Sequence, residues 1–336
     1  MRSIVCMGPG HLAYQEINAP LPKDGFSIIQ IKCIGICGTD LHAYEGTQPY
    51  FSYPRILGHE LSGVIFQTNN KQFREGVAVT VLPYFNCGYC IACRSGKPNC
   101  CAELNVCGVH SDGGMVEYLQ VPDESLVQNN GLSFEELALV EPLAIGAHAV
   151  RRAEIKKGEF VLVVGAGPIG LGTIEFARIA GAQVIAMDVE EKRLHFCLDK
   201  LGVQFVINPS KTNVVQELKT LTQGDMPITV IDATGNLNAI NDSFQYIAQG
   251  GRYVLVGLQK QPLLVNHPEF HKREATLMSS RNATIIDFAH VMDCMKKKLI
   301  QPTTYITHRV GFEEMVEQFT GWLNPASGII KAMVYM

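Results

Sequence analysis

The chain has no surplus of positive charge: 28 Lys and Arg stand against 32 Asp and Glu, a formal net charge of −4 over 336 residues. Without a basic field nothing draws in polyphosphate, so nucleic acid is not an expected partner. A long apolar run is also lacking. The strongest, residues 160–172, is too short and too rich in glycine to cross a bilayer. The N-terminal Met1-Arg2-Ser3-Ile4-Val5-Cys6 has no uninterrupted apolar h-region and reads as a short strand running into Gly8-Pro9-Gly10. There is no internal repeat and no disordered or low-complexity tail. These absences set the expectation of a cytoplasmic globular protein without nucleic-acid or membrane partners. The 11 cysteines are an odd number in a large chain of this kind, which favours thiols and metal ligands over a disulfide framework.

What is present points to two domains. At 336 residues the chain exceeds the roughly 250–300 that one hydrophobic core sustains, and with 47% hydrophobic residues and 31 glycines it can bury sizeable cores. Through residue 130, β-prone runs at 28–33, 63–66, 77–82 and 118–121 are broken by Gly, Pro and Asn, the pattern of an all-β or α+β module. Ser133 and Glu136 then make an S-x-x-E capping box, and residues 143–153 continue with helical spacing. Beyond them β and α patterns alternate: a strand at 160–164 and a helix to 180, then a strand at 183–187 and a helix at 190–201. Strands near 205 and at 228–232 and 253–256 follow, and an apolar strand at 276–280 closes the series. Alternation of this length implies a parallel, doubly wound sheet, so the expected fold class is α/β in two domains.

The turn after the 160–164 strand reads Gly165-Ala166-Gly167-Pro168-Ile169-Gly170, and Asp188 ends the next strand 18 residues after Gly170. A glycine triplet alone recurs by chance. The full strand, turn, helix, strand and acid order makes this one a dinucleotide site. The first glycine permits the tight turn, the second lets the backbone approach a pyrophosphate, and the third lets helix and strand pack closely. Amides at the helix start then face the anion. Asp188 is placed to accept hydrogen bonds from the adenosine ribose and to repel a 2′-phosphate, which favours NAD over NADP. For Arg193 two roles stay open, an adenine contact and a solvated helix charge.

Cys87, Cys90, Cys93 and Cys101 form a C-x2-C-x2-C-x7-C cluster that turns can wrap around a tetrahedral ion, with Gly88, Gly96 and Pro98 supplying the sharp backbone. An iron–sulfur site starts with the same spacing but needs its fourth cysteine earlier and a proline after it. A nucleic-acid-binding zinc ribbon needs basic surroundings. Four thiolates close the coordination sphere, so a structural zinc is expected. Cys100 beside Cys101 leaves the fourth ligand ambiguous. Farther upstream, Cys37-Gly38-Thr39-Asp40-Leu41-His42 and Gly58-His59-Glu60 are separated by a loop bearing Tyr44, Tyr50, Phe51 and Tyr53. A cysteine, a histidine and a carboxylate with an open fourth position make a catalytic zinc site. Glu141, in Val140-Glu141-Pro142-Leu143, is a second candidate carboxylate. Taken singly, Cys37 reads as a small buried apolar residue, His59 as a satisfied core histidine and Glu141 as a charge at a helix start.

Together these motifs resemble the zinc-dependent medium-chain dehydrogenase/reductase superfamily along nearly the whole chain: G-I-C-G-T-D-x-H at 35–42, G-H-E at 58–60, the four-cysteine lobe at 87–101, D-G-G at 112–114, E-P-L at 141–143 and V-G-A-G-P-I-G at 164–170. Glu141 stands where the ethanol branch has a cysteine, so the chain looks like the polyol and threonine dehydrogenase branch. Residues 48–55, 269–274 and 280–283 resemble bacterial sugar-acid dehydrogenases of the L-galactonate 5-dehydrogenase type. The resemblance implies a GroES-like zinc-binding catalytic domain at 1–142, a Rossmann NAD-binding domain at 143–282 and a C-terminal return to the catalytic domain at 283–336. It implies Cys37 and His59 as ligands of a catalytic zinc, with Glu60 or Glu141 as the third. Thr39 is then the hydroxyl that takes the substrate's proton and His42 the group that passes it to solvent. Gly165, Gly167, Ile169, Gly170, Asp188, Arg193 and Thr234 are expected on the dinucleotide. Arg281, Tyr44 and Phe51 are expected on a small polyhydroxylated substrate, the aromatics as an apolar roof. Relatives assemble as homodimers or homotetramers, and residues 276–281 are the expected contact.

The reading is thus an NAD-linked oxidoreductase acting on a secondary alcohol of a sugar acid or polyol. Threonine or butanediol oxidation is the alternative within the enzyme class. Outside it stands an NAD-binding structural or sensing protein without catalysis, against which Cys37, Thr39, His42 and His59 are all present. The remaining thiols at Cys6, Cys33, Cys197 and Cys294 sit at apolar periodic positions and are expected to be buried.

Overall fold

The apolar run at 28–33 extends into the eleven-residue strand Phe26–Ile36, the spine of the first unit. The computed structural model describes every residue except Tyr50, Asn129 and Asn130, so the expected place of Tyr50 among the loop aromatics lies outside the described residues. Two compact units emerge, one from Met1–Pro142 with Thr284–Met336 and one from Leu143–Ala283.

In the first unit the spine pairs antiparallel with Glu60–Thr68, Tyr118–Pro122 and the C-terminal strand Lys331–Tyr335. Register does the placing: Gly35 lies opposite Glu60, and Ile36 opposite Ala332. The chain therefore leaves the sheet at Cys37 with Glu60 on one side and Lys331 on the other. The sheet is completed by Ala78–Val81, Leu126–Gln128 and Ile306–Gly311, and a smaller one joins His11–Glu16, Arg2–Gly8 and Arg55–Ile56. Inward side chains such as Ile29, Ile31, Ile34, Leu57, Leu61, Val79 and Met115 form the core, each worth about 1.5–3 kcal/mol when fully buried. The capping box forms as the sequence predicts: Glu136 N donates to Ser133 Oγ at 3.2 Å and Ser133 N to Glu136 Oε2 at 2.7 Å. The next helix, Val140–Arg152, begins earlier than the spacing suggests, which puts Glu141 in its first turn.

The second unit is a six-stranded, wholly parallel sheet. Its strand order is Phe205–Ile207, Gln183–Met187, Phe160–Val164, Thr229–Asp232, Arg252–Leu255 and Thr276–Ser279. The chain winds outward in both directions from Phe160–Val164, so the order reverses between that strand and Thr229–Asp232, the position at which open α/β sheets bind ligands. Leu162, Val164, Ile185, Val230 and Tyr253 fill its core. Among the described residues no helix is long and apolar enough to cross a membrane.

Candidate functional site

Strand register brings the first cluster together. One ligand atom each from Cys37, His59 and Glu60 lies within 4.8 Å of the others, with His59 and Glu60 buried. Cys37 caps the helix Gly38–Glu45, whose Asp40 carboxylate accepts from Cys37 N at 2.9 Å and from Gly58 N at 3.1 Å. Asp40 thus ties the two motif loops to each other, and its Oδ1 lies 3.8 Å from His59 Nδ1. Gly35 has no side chain at the point where a Cβ would collide with Glu60 Oε2, so the carboxylate can stand over the spine strand.

Burial alone disfavours charge here, and the neighbours decide. Burial works against an imidazolium at His59, but Asp40 and Cys37 more than offset it and raise its pKa. Burial also opposes the Lys331 ammonium, and Glu60 prevails, donor to acceptor at 2.6 and 2.7 Å. Glu141 is pushed up to about 7 by burial first, with Glu60 adding to the rise and His59 opposing it. Its Oε1 accepts a hydrogen bond from Tyr84, whose own pKa burial and Glu141 lift well above 10.

The donor set fits zinc. Thiol, imidazole and carboxylate converge, and His59 Nδ1 is buried without a hydrogen bond among the described residues.

Around this cluster the expected relay residues share one helix. Thr39 is half-buried and His42, one turn on, is exposed, with Nδ1 3.3 Å from both Glu45 Oε2 and Thr47 Oγ1. The aromatics pack. Tyr44 meets Phe319 at a tilt of 59° with centroids 5.2 Å apart and bonds Thr320 Oγ1, while Phe51 meets Tyr53 edge-on at 4.9 Å.

In the second cluster the sulfurs of Cys87, Cys90, Cys93 and Cys101 close to 3.4–3.9 Å along three edges. Cys100 is exposed, and the sulfur that gathers with those of Cys87, Cys90 and Cys93 is that of Cys101. Backbone amides pull the Cys90 thiol down to about 6, while desolvation and the Cys90 contact push Cys93 up to about 12. Sulfurs this crowded do not all ionise without a cation among them, so this donor set also fits zinc, in the closed form that holds structure.

The glycine turn of the second unit is built as expected. Gly165 has φ 96°, and a Cβ at Gly170 would overlap the Gly165 carbonyl oxygen. Pro168 opens the helix Pro168–Ile179, and Ile169 in its first turn is half-buried. Asp188 is buried, its Oδ2 accepting from Ala166 N at 2.7 Å and its Oδ1 from Glu190 N at 2.8 Å, with Arg193 Nη1 3.5 Å away. The acid therefore shapes the turn. Thr234 Oγ1 donates to Asp232 Oδ2 at 2.7 Å beside the turn. Arg281 is exposed, two residues past Thr276–Ser279.

Three residues of the metal centre escape the motif reading. Asp40 lies inside a quoted motif but shows its role only once Gly58 is folded against it. Lys331 had a signal, a lone cation within the apolar run 329–334, which a buried strand tolerates only with a partner. Tyr84 had none.

Residues 23–131 match the alcohol dehydrogenase GroES-like domain family and residues 168–297 the zinc-binding dehydrogenase family. The chain is 44% identical to L-galactonate-5-dehydrogenase of Escherichia coli K12, over 95% of this chain and 94% of that one. It is 34% identical to the starvation-sensing protein RspB of the same organism, over 94% of each chain. The crystal structure of the short chain alcohol dehydrogenase rspB from E. coli CFT073, complexed with NADH, superposes with a TM-score of 0.93 at 31% identity, covering 100% of this chain and 99% of that one. With both family matches in chain order on the two folded units, the protein belongs to the zinc-dependent medium-chain dehydrogenase/reductase superfamily and is an oxidoreductase of the alcohol dehydrogenase type.

Proposed function

We propose that the chain oxidises a secondary alcohol of a sugar acid or related polyol to the ketone, with NAD as hydride acceptor. The observation that carries the substrate class is the 44% identity, over 95% of the chain, to an L-galactonate-5-dehydrogenase. Zinc held by Cys37, His59 and a carboxylate would supply a Lewis acid that brings a hydroxyl toward ionisation near neutral pH, a larger effect than the roughly 10²–10⁴-fold of a histidine base alone.

The chain's own groups do the positioning and the proton handling. Thr39 takes the proton of the substrate hydroxyl while releasing its own, and His42, one helical turn on and open to water, carries that proton away. Glu45 and Thr47 hold the His42 ring by Nδ1. Amides of the glycine turn take the pyrophosphate, and Asp188 takes the adenosine ribose and excludes a 2′-phosphate. Arg193 beside Asp188 is assigned to the adenine end and Thr234 to the nicotinamide side. The purified, metal-loaded chain, assayed for NADH and NADPH formation on aldonates, polyols, threonine and butanediol, tests the proposal. Fastest turnover on an aldonate with NAD is expected. No turnover on any aldonate or polyol would remove the substrate claim, and higher rates on threonine or butanediol would move it to that class.

A further inference from the structure

Glu60 shares the 4.8 Å cluster with Cys37 and His59, whereas Glu141 lies outside it and reaches His59 only by its electrostatic effect; the two carboxylates are held in different ways. Both oxygens of Glu60 are taken by the Lys331 ammonium, which also compensates the charge. Glu141 takes one hydrogen bond, on Oε1, from the neutral hydroxyl of Tyr84, and no described residue donates to its Oε2. Tyr84 and Glu141 are 5% and 4% exposed, so the contact is sealed from water that would otherwise compete for it.

Tyr84 itself is anchored elsewhere. It lies on the short strand Tyr84–Phe85, which pairs with Asn105–Val106, while Cys107 N donates to Pro83 O at 3.0 Å. These contacts close the neck from which the four-cysteine lobe projects. A carboxylate fixed at one oxygen by a rigid donor loses its freedom to rotate, and the second oxygen is presented in one direction. Such supporting contacts typically govern metal affinity by 10–100-fold.

We propose that Tyr84 is a positioning residue of the metal centre. Its hydroxyl holds Glu141 by Oε1 so that Oε2 faces a divalent cation on Cys37 and His59, and it thereby ties that centre to the neck of the cysteine lobe. The inference rests on the zinc-dehydrogenase reading of the site. It is tested on the full chain with Tyr84→Phe, which removes one oxygen and keeps the ring, and with Glu141→Gln, alone and combined. The readouts are chelator competition for the metal and the visible absorption of the cobalt-substituted protein. Tyr84→Phe is expected to weaken the Cys37/His59 metal roughly 10–100-fold, to shift the cobalt bands and to leave the lobe metal in place, and to add nothing further in the Glu141→Gln background. Unchanged affinity and bands, or an equal loss when Glu141 is already Gln, would overturn the inference while leaving the zinc reading intact. A wild-type chain that takes up no metal at Cys37 and His59 would overturn both.

Discussion

Lys331 Nζ sits between the two carboxylate oxygens of Glu60, at 2.6 and 2.7 Å, and spends its third proton on Ile36 O at 3.1 Å. Both side chains are almost wholly buried, at 3% and 0% exposure. An ammonium desolvated this far is tolerable only because every proton is used. Its removal leaves a carboxylate with no cation on either oxygen. Lys331→Met is therefore expected to cost about 3–5 kcal/mol in the zinc-free protein, measured by the urea midpoint, and adding Glu60→Gln to recover part of it. Additive losses in the double variant would show that the two groups act separately.

That pair also marks where sequence stops being legible. The cysteine lobe and the glycine turn are written in local spacing, because turns bring their ligands together over a few residues, and both fold as the spacing implies. Glu60 and Lys331 are 271 positions apart and meet only because Phe26–Ile36 pairs with the strands of each. The Tyr84 contact with Glu141 likewise depends on where a neck strand and a helix start are brought by tertiary packing, which no periodicity encodes. Motif-level residues such as Cys37 and His59 were visible, and the partners that orient and neutralise them were not.

Metal removal should proceed in two stages. The Cys37, His59 and carboxylate set offers three ligands, one fewer than a tetrahedral ion takes, whereas the lobe offers four sulfurs. Dialysis against a mild chelator is expected to lower zinc from about two equivalents per chain to about one, abolishing activity while the fold persists. Cys93→Ser is expected to lose the lobe equivalent. Elemental analysis beside circular dichroism reads both, and loss of both metals in a single step would contradict the assignment.

Glu135 supplies a pH-dependent clamp in the first unit. Arg309 donates to its two oxygens at 2.8 and 3.3 Å, and Tyr335 donates to the first. The Arg309 hydrogen bond is the main reason its pKa falls below the usual 4.5. A depressed carboxylate stabilises the fold above its unfolded pKa, and that contribution is lost as pH drops through the folded value. Arg309 is 47% exposed, so the effect should stay under about 1 kcal/mol. The stability gap between wild type and Arg309→Gln is expected to be constant from about pH 6 to 8 and to close below about pH 4. A gap that persists in acid would rule out the ion pair as its source.

Asp188 offers the sharpest test of cofactor choice because it has two duties. Its carboxylate accepts the Ala166 and Glu190 amides, and the proposed function sets its charge against a 2′-phosphate on the adenosine ribose. Asp188→Ser removes the charge, keeps a hydroxyl for one amide, and frees Arg193 from its 3.5 Å contact to meet a phosphate. Losing one amide acceptor should cost about 1–2 kcal/mol of stability, a control for the structural duty. The ribose is far from the carbon that exchanges hydride, so the ligand effect is uniform binding and belongs in KM, with kcat nearly unchanged. The NAD to NADP ratio of kcat/KM is expected to fall at least tenfold, about 1.4 kcal/mol, most of it carried by the two KM values. If the ratio holds while the unfolding midpoint drops, Asp188 only shapes the turn, and discrimination between the two dinucleotides resides elsewhere in the second unit.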